Sequence, residues 1–245
     1  MTSGRTSHRP IYRPAHHPAE EQLAGYAAGE MAEAPSLVIA THLALCPACR
    51  RQVADYEALG GELLSQLAGE PLGEGSLSQT LARLDATDAG RADTGRSQRA
   101  RSVPKGTGVA PSRAAADEAF LLPQPLRDYM SQAWADKGSW RKAMPGLRVL
   151  KLKAEGAKVW MMELQPSRPI PHHGHTGQEL VLVLSGGYHD GPTGYGPGDL
   201  HMSGPETIHE PVTDADGPCL CLVMVEGSIR PTSWLGRIVS GFMGF

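Results

Sequence analysis

The sequence predicts two domains of different class, a small all-α domain followed by an all-β domain. Three observations carry this. Between residues 18 and 84 the apolar side chains recur at helical spacing. Beyond residue 119 they alternate in short runs separated by Gly-Pro, Gly-Gly and Asp-Gly turns. Between the two lies a stretch with few large apolar side chains, which cannot bury enough surface to offset its ordering entropy. The expected divisions are a flexible arm over 1–15, a helical domain over 16–85, a linker over 86–119 and an all-β domain over 120–245.

The helical elements follow in order. "PAEEQLAGYAAGE" opens with proline and acids and spaces Leu23, Tyr26 and Ala27 for one face. "APSLVIATHLAL" is a second helical run, broken at Pro47. The third starts at Pro47, which suits a first helical position, and carries Cys49, Val53, Tyr56, Leu59 or Gly60, Leu63 and Leu67 near helical period. "SLSQTLARLDA" gives a short fourth helix with Leu77, Leu81 and Leu84 on one side. Leu23, Tyr26, Leu37, Leu59 and Leu63 are candidates for core or partner contact, with core the expectation for most. Strands are expected in "GLRVLKLKAE", "KVWMMELQP", "ELVLVLSGGYHD", "GDLHMSG" and "CLCLVMVEG". Short strands without a long helix between them suggest a sandwich or barrel.

Composition narrows the function classes. The chain has 245 residues, 40% hydrophobic and 20% charged, with a formal net charge of −3, which gives no nucleic-acid footprint. No apolar run reaches the length of a membrane span and no apolar region marks a signal peptide, so a cytoplasmic location is expected. Cys46, Cys49, Cys219 and Cys221 form two close pairs far apart in sequence, unlike a secreted disulfide framework.

The first chemical constellation is "HLALCPAC", which puts His42, Cys46 and Cys49 in an H-x₃-C-x₂-C spacing. His42 and Cys46 share a helix face, and Cys49 opens the next helix, where a thiolate is favoured. Tetrahedral zinc takes four ligands. The fourth is expected from His16 or His17, just before the first helix, and spacing alone does not separate them. A thioredoxin-type redox pair is the rival, but no βαβ context surrounds it. A metal would add folding free energy to a module with little core.

The second constellation is "HHGHTGQE". His173, His175 and Glu179 share one strand parity, and His209 follows in "ETIHEP". Three histidines and a carboxylate suit Zn²⁺, Fe²⁺, Mn²⁺ or Ni²⁺. His172 has the wrong parity, and His189 and His201 are read as surface residues. Cys219 and Cys221 face one side of a strand, either as small core side chains or as oxidisable groups near the metal pocket.

Taken together, these stretches resemble the ChrR-type zinc-binding anti-sigma factors of bacteria. The likeness runs through "HHPAEEQLAGYAAGEMAEAPSLVIATHLALCPACR", then "HGHTGQELVLVLSGGYHD", "YGPGDLHMSG", "IHEP" and "CLCL". It implies a helical zinc-binding anti-sigma domain joined to a cupin domain, a double-stranded β-helix. It implies zinc on His17, His42, Cys46 and Cys49, favouring His17 over His16. It implies a second zinc, or iron, manganese or nickel, on His173, His175, Glu179 and His209. It matches the family's paired late cysteines to Cys219 and Cys221, the candidate redox-sensing pair. The implied function is to sequester an extracytoplasmic-function sigma factor and release it under singlet oxygen or organic hydroperoxides, with no catalytic residues and no direct contact with nucleic acid or membrane. The rival is a metal-dependent cupin enzyme of dioxygenase or isomerase type, which has no need of the helical module. Against the general cupin pattern, Ser167 and Thr207 stand where glycines belong and Thr213 where an asparagine belongs, while Gly186 is in its expected place.

Overall fold

The computed structural model describes residues 13–95, 122–135 and 139–231. Most of the expected arm and of the linker fall outside these residues. The chain forms two compact units, Met1–Gly60 with Pro111–Phe245, and Gly61–Ala110.

Four helices stand in the N-terminal part: α1 (Glu20–Ala27), α2 (Glu33–Leu45), α3 (Pro47–Ser65) and α4 (Ser76–Gly95). Glu20 and Glu21 lie in the first turn of α1, where negative charge complements the helix dipole. The Gln22 side chain accepts the Ala19 N–H at 3.2 Å and so caps it. Helix α2 ends at Cys46, whose backbone is extended, and Pro47 starts α3 at once. Helix α4 continues past Ala86 to Gly95, into the stretch expected as linker. The next helix among the described residues, α5 (Gln124–Ala135), precedes the strands. Its apolar positions Leu126, Met130 and Ala133 recur at helical spacing.

Twelve strands follow: β1 (Arg141–Met144), β2 (Leu147–Leu152), β3 (Lys158–Leu164), β4 (His173–His175), β5 (Glu179–Ser185), β6 (Tyr188–Asp190), β7 (Thr193–Tyr195), β8 (Leu200–Ser203), β9 (Ile208–His209), β10 (Val212–Thr213), β11 (Cys219–Val225) and β12 (Ile229–Pro231). They form a six-stranded sheet ordered β1-β2-β3-β11-β5-β8 and two three-stranded sheets, β10-β6-β7 and β12-β4-β9. The paired strands are antiparallel.

Strand β11 shows how the sequence divides the core. Leu222 and Met224 join one apolar cluster with Leu150, Met161, Leu180 and Leu182. Cys219, Cys221, Val223 and Val225 join a second, with Val149, Trp160, Met162 and Val183. The two-residue period assigns alternate side chains to opposite faces, and both faces are covered, so the strand reads as continuously apolar. The first cluster also takes in Leu23, Val38, Ile39, Leu126 and Met130. Helix α2 is buried around most of its circumference, which is why its apolar residues show so little sidedness. Each such leucine, fully buried, contributes about 2 kcal/mol.

Glu33 ties these layers at their edge. Its carboxylate accepts the Tyr129 hydroxyl at 2.6 Å and the Glu155 N–H at 2.7 Å. Burial and then the carboxylate push the Tyr129 phenol up to about 12. Of the leucine and tyrosine candidates, Leu23 and Leu37 are buried and Tyr26 packs on the core, whereas Leu59 and Leu63 are exposed.

Candidate metal centres

The eight predicted donors come together as two groups of four, His17/His42/Cys46/Cys49 and His173/His175/Glu179/His209, with the donor atoms of each group within 4.8 Å of one another.

In the helical group, His42 lies on the last turn of α2, Cys46 closes that helix and Cys49 sits in the first turn of α3. The Pro47 break is what swings Cys49 back toward His42. His17 approaches from the extended segment before α1 and is the exposed member of the four. Its Nδ1 lies 3.5 Å from Cys46 Sγ and 3.3 Å from Cys49 Sγ, and His42 Nε2 lies 3.3 Å from Cys49 Sγ. A tetrahedral zinc with Zn–S of about 2.3 Å and Zn–N of about 2.0 Å separates N from S by about 3.5 Å, so the donor spacing fits. His16, the rival, does not join the group. Its ring packs on Tyr195 at 4.5 Å.

Tautomer logic adds a second test. The Gly198 carbonyl oxygen can only accept, so His42 Nδ1, 2.9 Å away, carries the proton. The Nε2 lone pair therefore faces the sulfur. Burial pushes the His42 imidazole down to about 4, and burial followed by Cys46 pushes the Cys49 thiol up to about 12. Neutral imidazole is the ligand form, and a cation reverses the cost of the thiolate.

In the second group, His173 and His175 are the outer residues of β4, Glu179 starts β5 and His209 ends β9, opposite His173 in register. Gly174 between the two histidines suits a close strand approach. A Cβ there would stand 3.2 Å from the Thr207 carbonyl oxygen. His209 Nε2 lies 3.2 Å from His173 Nε2 and 3.1 Å from His175 Nε2. Glu179 Oε2 lies 3.4 Å from His175 Nε2 and 3.5 Å from His209 Nε2. His173 Nδ1 donates to the Pro171 carbonyl at 2.8 Å, and His209 Nδ1 donates to Asp190 Oδ2 at 3.0 Å. Both Nε2 atoms then present lone pairs to each other. That arrangement is repulsive unless a cation lies between them, so these residues fit a divalent metal. Burial and then His209 push His173 and His175 down to about 4; burial and then Asp190 push Glu179 up to about 8.

His201, read above as a surface residue, is instead buried. It stacks on Tyr195 at 4.4 Å, and its Nδ1 lies 3.0 Å from the Tyr188 hydroxyl. Asp190 was not singled out, yet it orients His209 as carboxylates commonly orient metal-ligating histidines. Asp190, His201 and His209 themselves form a third close group. Strand parity carried a signal for both, since Tyr188 shares a face with Asp190 and His201 with Ser203. His172 and His189 are exposed. Cys219 and Cys221 are buried in β11 with their sulfurs 3.5 Å apart.

The departures from the general cupin pattern are absorbed locally. Ser167 takes a φ of 54°, the left-handed conformation a glycine would adopt without strain. Thr213 is buried, accepts the Arg168 N–H at 2.8 Å and donates to the Gln165 carbonyl at 2.7 Å. Thr207 accepts the Gly204 N–H at 3.2 Å.

Residues 132–228 match the family described as "ChrR Cupin-like domain", and residues 17–50 match the family described as "Putative zinc-finger". The chain is 35% identical over 221 residues to the anti-sigma-E factor ChrR of Cereibacter sphaeroides, covering 90% of this chain and 93% of that protein. It is also similar to the crystal structure of Rhodobacter sphaeroides SigE in complex with the anti-sigma ChrR. The TM-score there is 0.67 at 33% identity, covering 87% of this chain and 100% of that one. A cupin-like structure from Ralstonia eutropha, with a TM-score of 0.37, is too distant to argue from. On near-complete coverage at this identity, the chain belongs to the ChrR-type anti-sigma factors.

Proposed function

We propose that this protein sequesters an extracytoplasmic-function sigma factor through its helical domain and releases it under oxidative stress, from singlet oxygen or organic hydroperoxides, through its cupin domain. The observation that carries the reading is a likeness to an anti-sigma factor across 90% of the chain, combined with helices whose large apolar side chains face water. Leu63 on α3 and Leu77, Leu81 and Leu84 on α4 are each half or more exposed. Rows of this kind are uncommon on a soluble domain unless a partner covers them. No helix among the described residues is long and apolar enough to cross a membrane.

His17, His42, Cys46 and Cys49 would hold zinc in a closed tetrahedral site, locking the α2–α3 corner. In the second domain, which we read as a double-stranded β-helix, His173, His175, Glu179 and His209 would hold a second zinc. When bound, that ion supplies a Lewis acid with an exchangeable position; the chain's own groups set its access and orientation. Cys219 and Cys221, close together and buried beside Tyr188, are the proposed redox partners of that site. The fused helical domain favours regulator over enzyme, since a metal-dependent dioxygenase has no use for it.

Co-expression with a group of small sigma factors from the same genome tests the reading. A stable one-to-one complex that blocks binding to core RNA polymerase is expected. Photosensitised oxidation should free the sigma factor from the complex, and His173→Ala or Cys221→Ser should slow that release. No complex with any of them, together with iron in the β domain and turnover of an oxygenase substrate, would establish the enzyme instead.

A further inference from the structure

Both imidazoles of the helical donor set are also approached from the β domain. His17 precedes the first helix in an extended segment and is exposed. The residues just before it are held by the β domain, at the corner between β7 and β8. Asp199 Oδ1 accepts the N–H groups of Ala15 at 2.6 Å and His16 at 2.9 Å. The Leu200 N–H donates to the His16 carbonyl at 3.1 Å. The His16 ring packs on Tyr195 and its Nε2 lies 3.2 Å from the Gly194 carbonyl. These contacts end one residue before His17. The other imidazole, His42, donates from Nδ1 to the carbonyl of Gly198, the residue beside Asp199. Gly198 has a φ of 92°, and a Cβ there would stand 2.7 Å from Pro14 Cγ, so the corner and the arm are shaped to each other. Asp199 is itself buried, and its second oxygen caps the Gly196 N–H at 2.8 Å, which holds the carboxylate in place.

We propose that Asp199, with the Gly198 carbonyl, positions both histidines of the helical metal site, so that one corner of the β domain completes the outer shell of a site whose ligands all come from the helical part. The proposal rests on the metal reading of His17, His42, Cys46 and Cys49. It goes beyond that reading by making metal retention in the helical site depend on the β domain. Groups that orient metal ligands commonly carry ten- to a hundredfold in affinity (roughly). The same corner leads directly into β8, where His201 stacks on Tyr195 and stands 5.5 Å, ring to ring, from His209 of the second site. A rearrangement around the second site therefore has a short structural route to the first.

The test uses the full chain with cobalt(II) as the probe. Thiolate-to-cobalt charge-transfer absorption reports the Cys₂His₂ site alone, because the second donor set has no sulfur. Loss of that absorption into excess chelator is followed for wild type, Asp199→Ala, Asp199→Asn and Ala15→Pro. Ala15→Pro removes one donor from the other side of the contact and leaves Asp199 in place, so it keeps the test informative if the aspartate variants fold poorly. Expected are about tenfold faster loss in Asp199→Ala, a smaller acceleration in Asp199→Asn, which keeps one acceptor toward the arm, acceleration in Ala15→Pro, and unchanged metal content of the second site. Wild-type rates in Asp199→Ala, or in a folded Ala15→Pro, would assign the aspartate to the Gly196 turn alone and overturn the proposal. A wild-type chain with no thiolate-bound cobalt would overturn the metal reading and this proposal with it.

Discussion

At the scale of single residues, the chemistry of this chain lies in which nitrogen of each histidine holds a proton. Carbonyls behind His42 and His173 and a carboxylate behind His209 hold the proton on Nδ1 and turn three Nε2 lone pairs inward. The candidate donors were legible because helix and strand periods align them: i to i+4 on α2, and i to i+2 on β4. The groups behind them were not. Asp190, Asp199 and the Gly198 carbonyl reach the sites across turns and sheets, and no local spacing records that. A sharper residue-scale prediction concerns Gly186, which has a φ of 69° and whose added Cβ would lie 2.3 Å from the Pro218 carbonyl oxygen. Backbone and steric costs add there. Gly186→Ala should lower stability by about 3 kcal/mol in chemical denaturation. Ser167→Gly, at a left-handed position with no such crowding, should instead be neutral or slightly stabilising.

At the scale of elements, the strong periodic segments were readable and the short ones were not. Helices α1 to α3 begin within a few residues of their proline and acidic signals, and β2, β3, β5 and β11 coincide with the alternating or continuous apolar runs. The strands of two or three residues, β9, β10 and β12 among them, carry too few side chains to show a period, and pairing partners define them instead. Helix α5 was missed because "PQPLRDYM" opens with two prolines, and its apolar side joins the core only through α2 and the sheet. The apolar residues of α3 divide along its length. Cys49 and Val53 are buried and Leu59 and Leu63 are exposed, so one helical period serves the core first and water later. Helix α4 gives the element-scale prediction. Leu81 is half exposed and Leu77 and Leu84 more so. Leu81→Glu should leave thermal stability within about 0.5 kcal/mol. It should weaken capture of the sigma factor by about 2 kcal/mol, some thirtyfold in Kd, if α4 is covered by the partner. Equal binding by isothermal titration would remove α4 from the interface.

At the scale of the whole molecule, the two donor groups differ in chemistry, and metal binding at each should answer differently to pH. In the metal-free chain Glu179 keeps its proton up to about 8 because it is buried beside Asp190, while His173 and His175 are neutral above about 4. The raised carboxyl stabilises the metal-free fold below pH 4.5, its ordinary value, and that contribution is lost as pH rises toward 8. The lowered imidazoles act in the opposite sense. Their contribution is present above 6.5 and lost as pH falls toward 4. Binding a metal to the second site then expels one proton from Glu179 across the range between these values. Its apparent association constant should rise about tenfold per pH unit between roughly 5 and 8 and level off above. Cys49 lies at about 12, so the helical site expels a thiol proton throughout and its affinity should continue to rise past pH 8. Competition with a chromophoric chelator from pH 5.5 to 9, with metal content of each site read separately, checks both slopes. Glu179→Gln should flatten the curve of the second site and leave that of the first unchanged. A second site whose affinity is independent of pH below 8 would mean that Glu179 is ionised before the metal arrives.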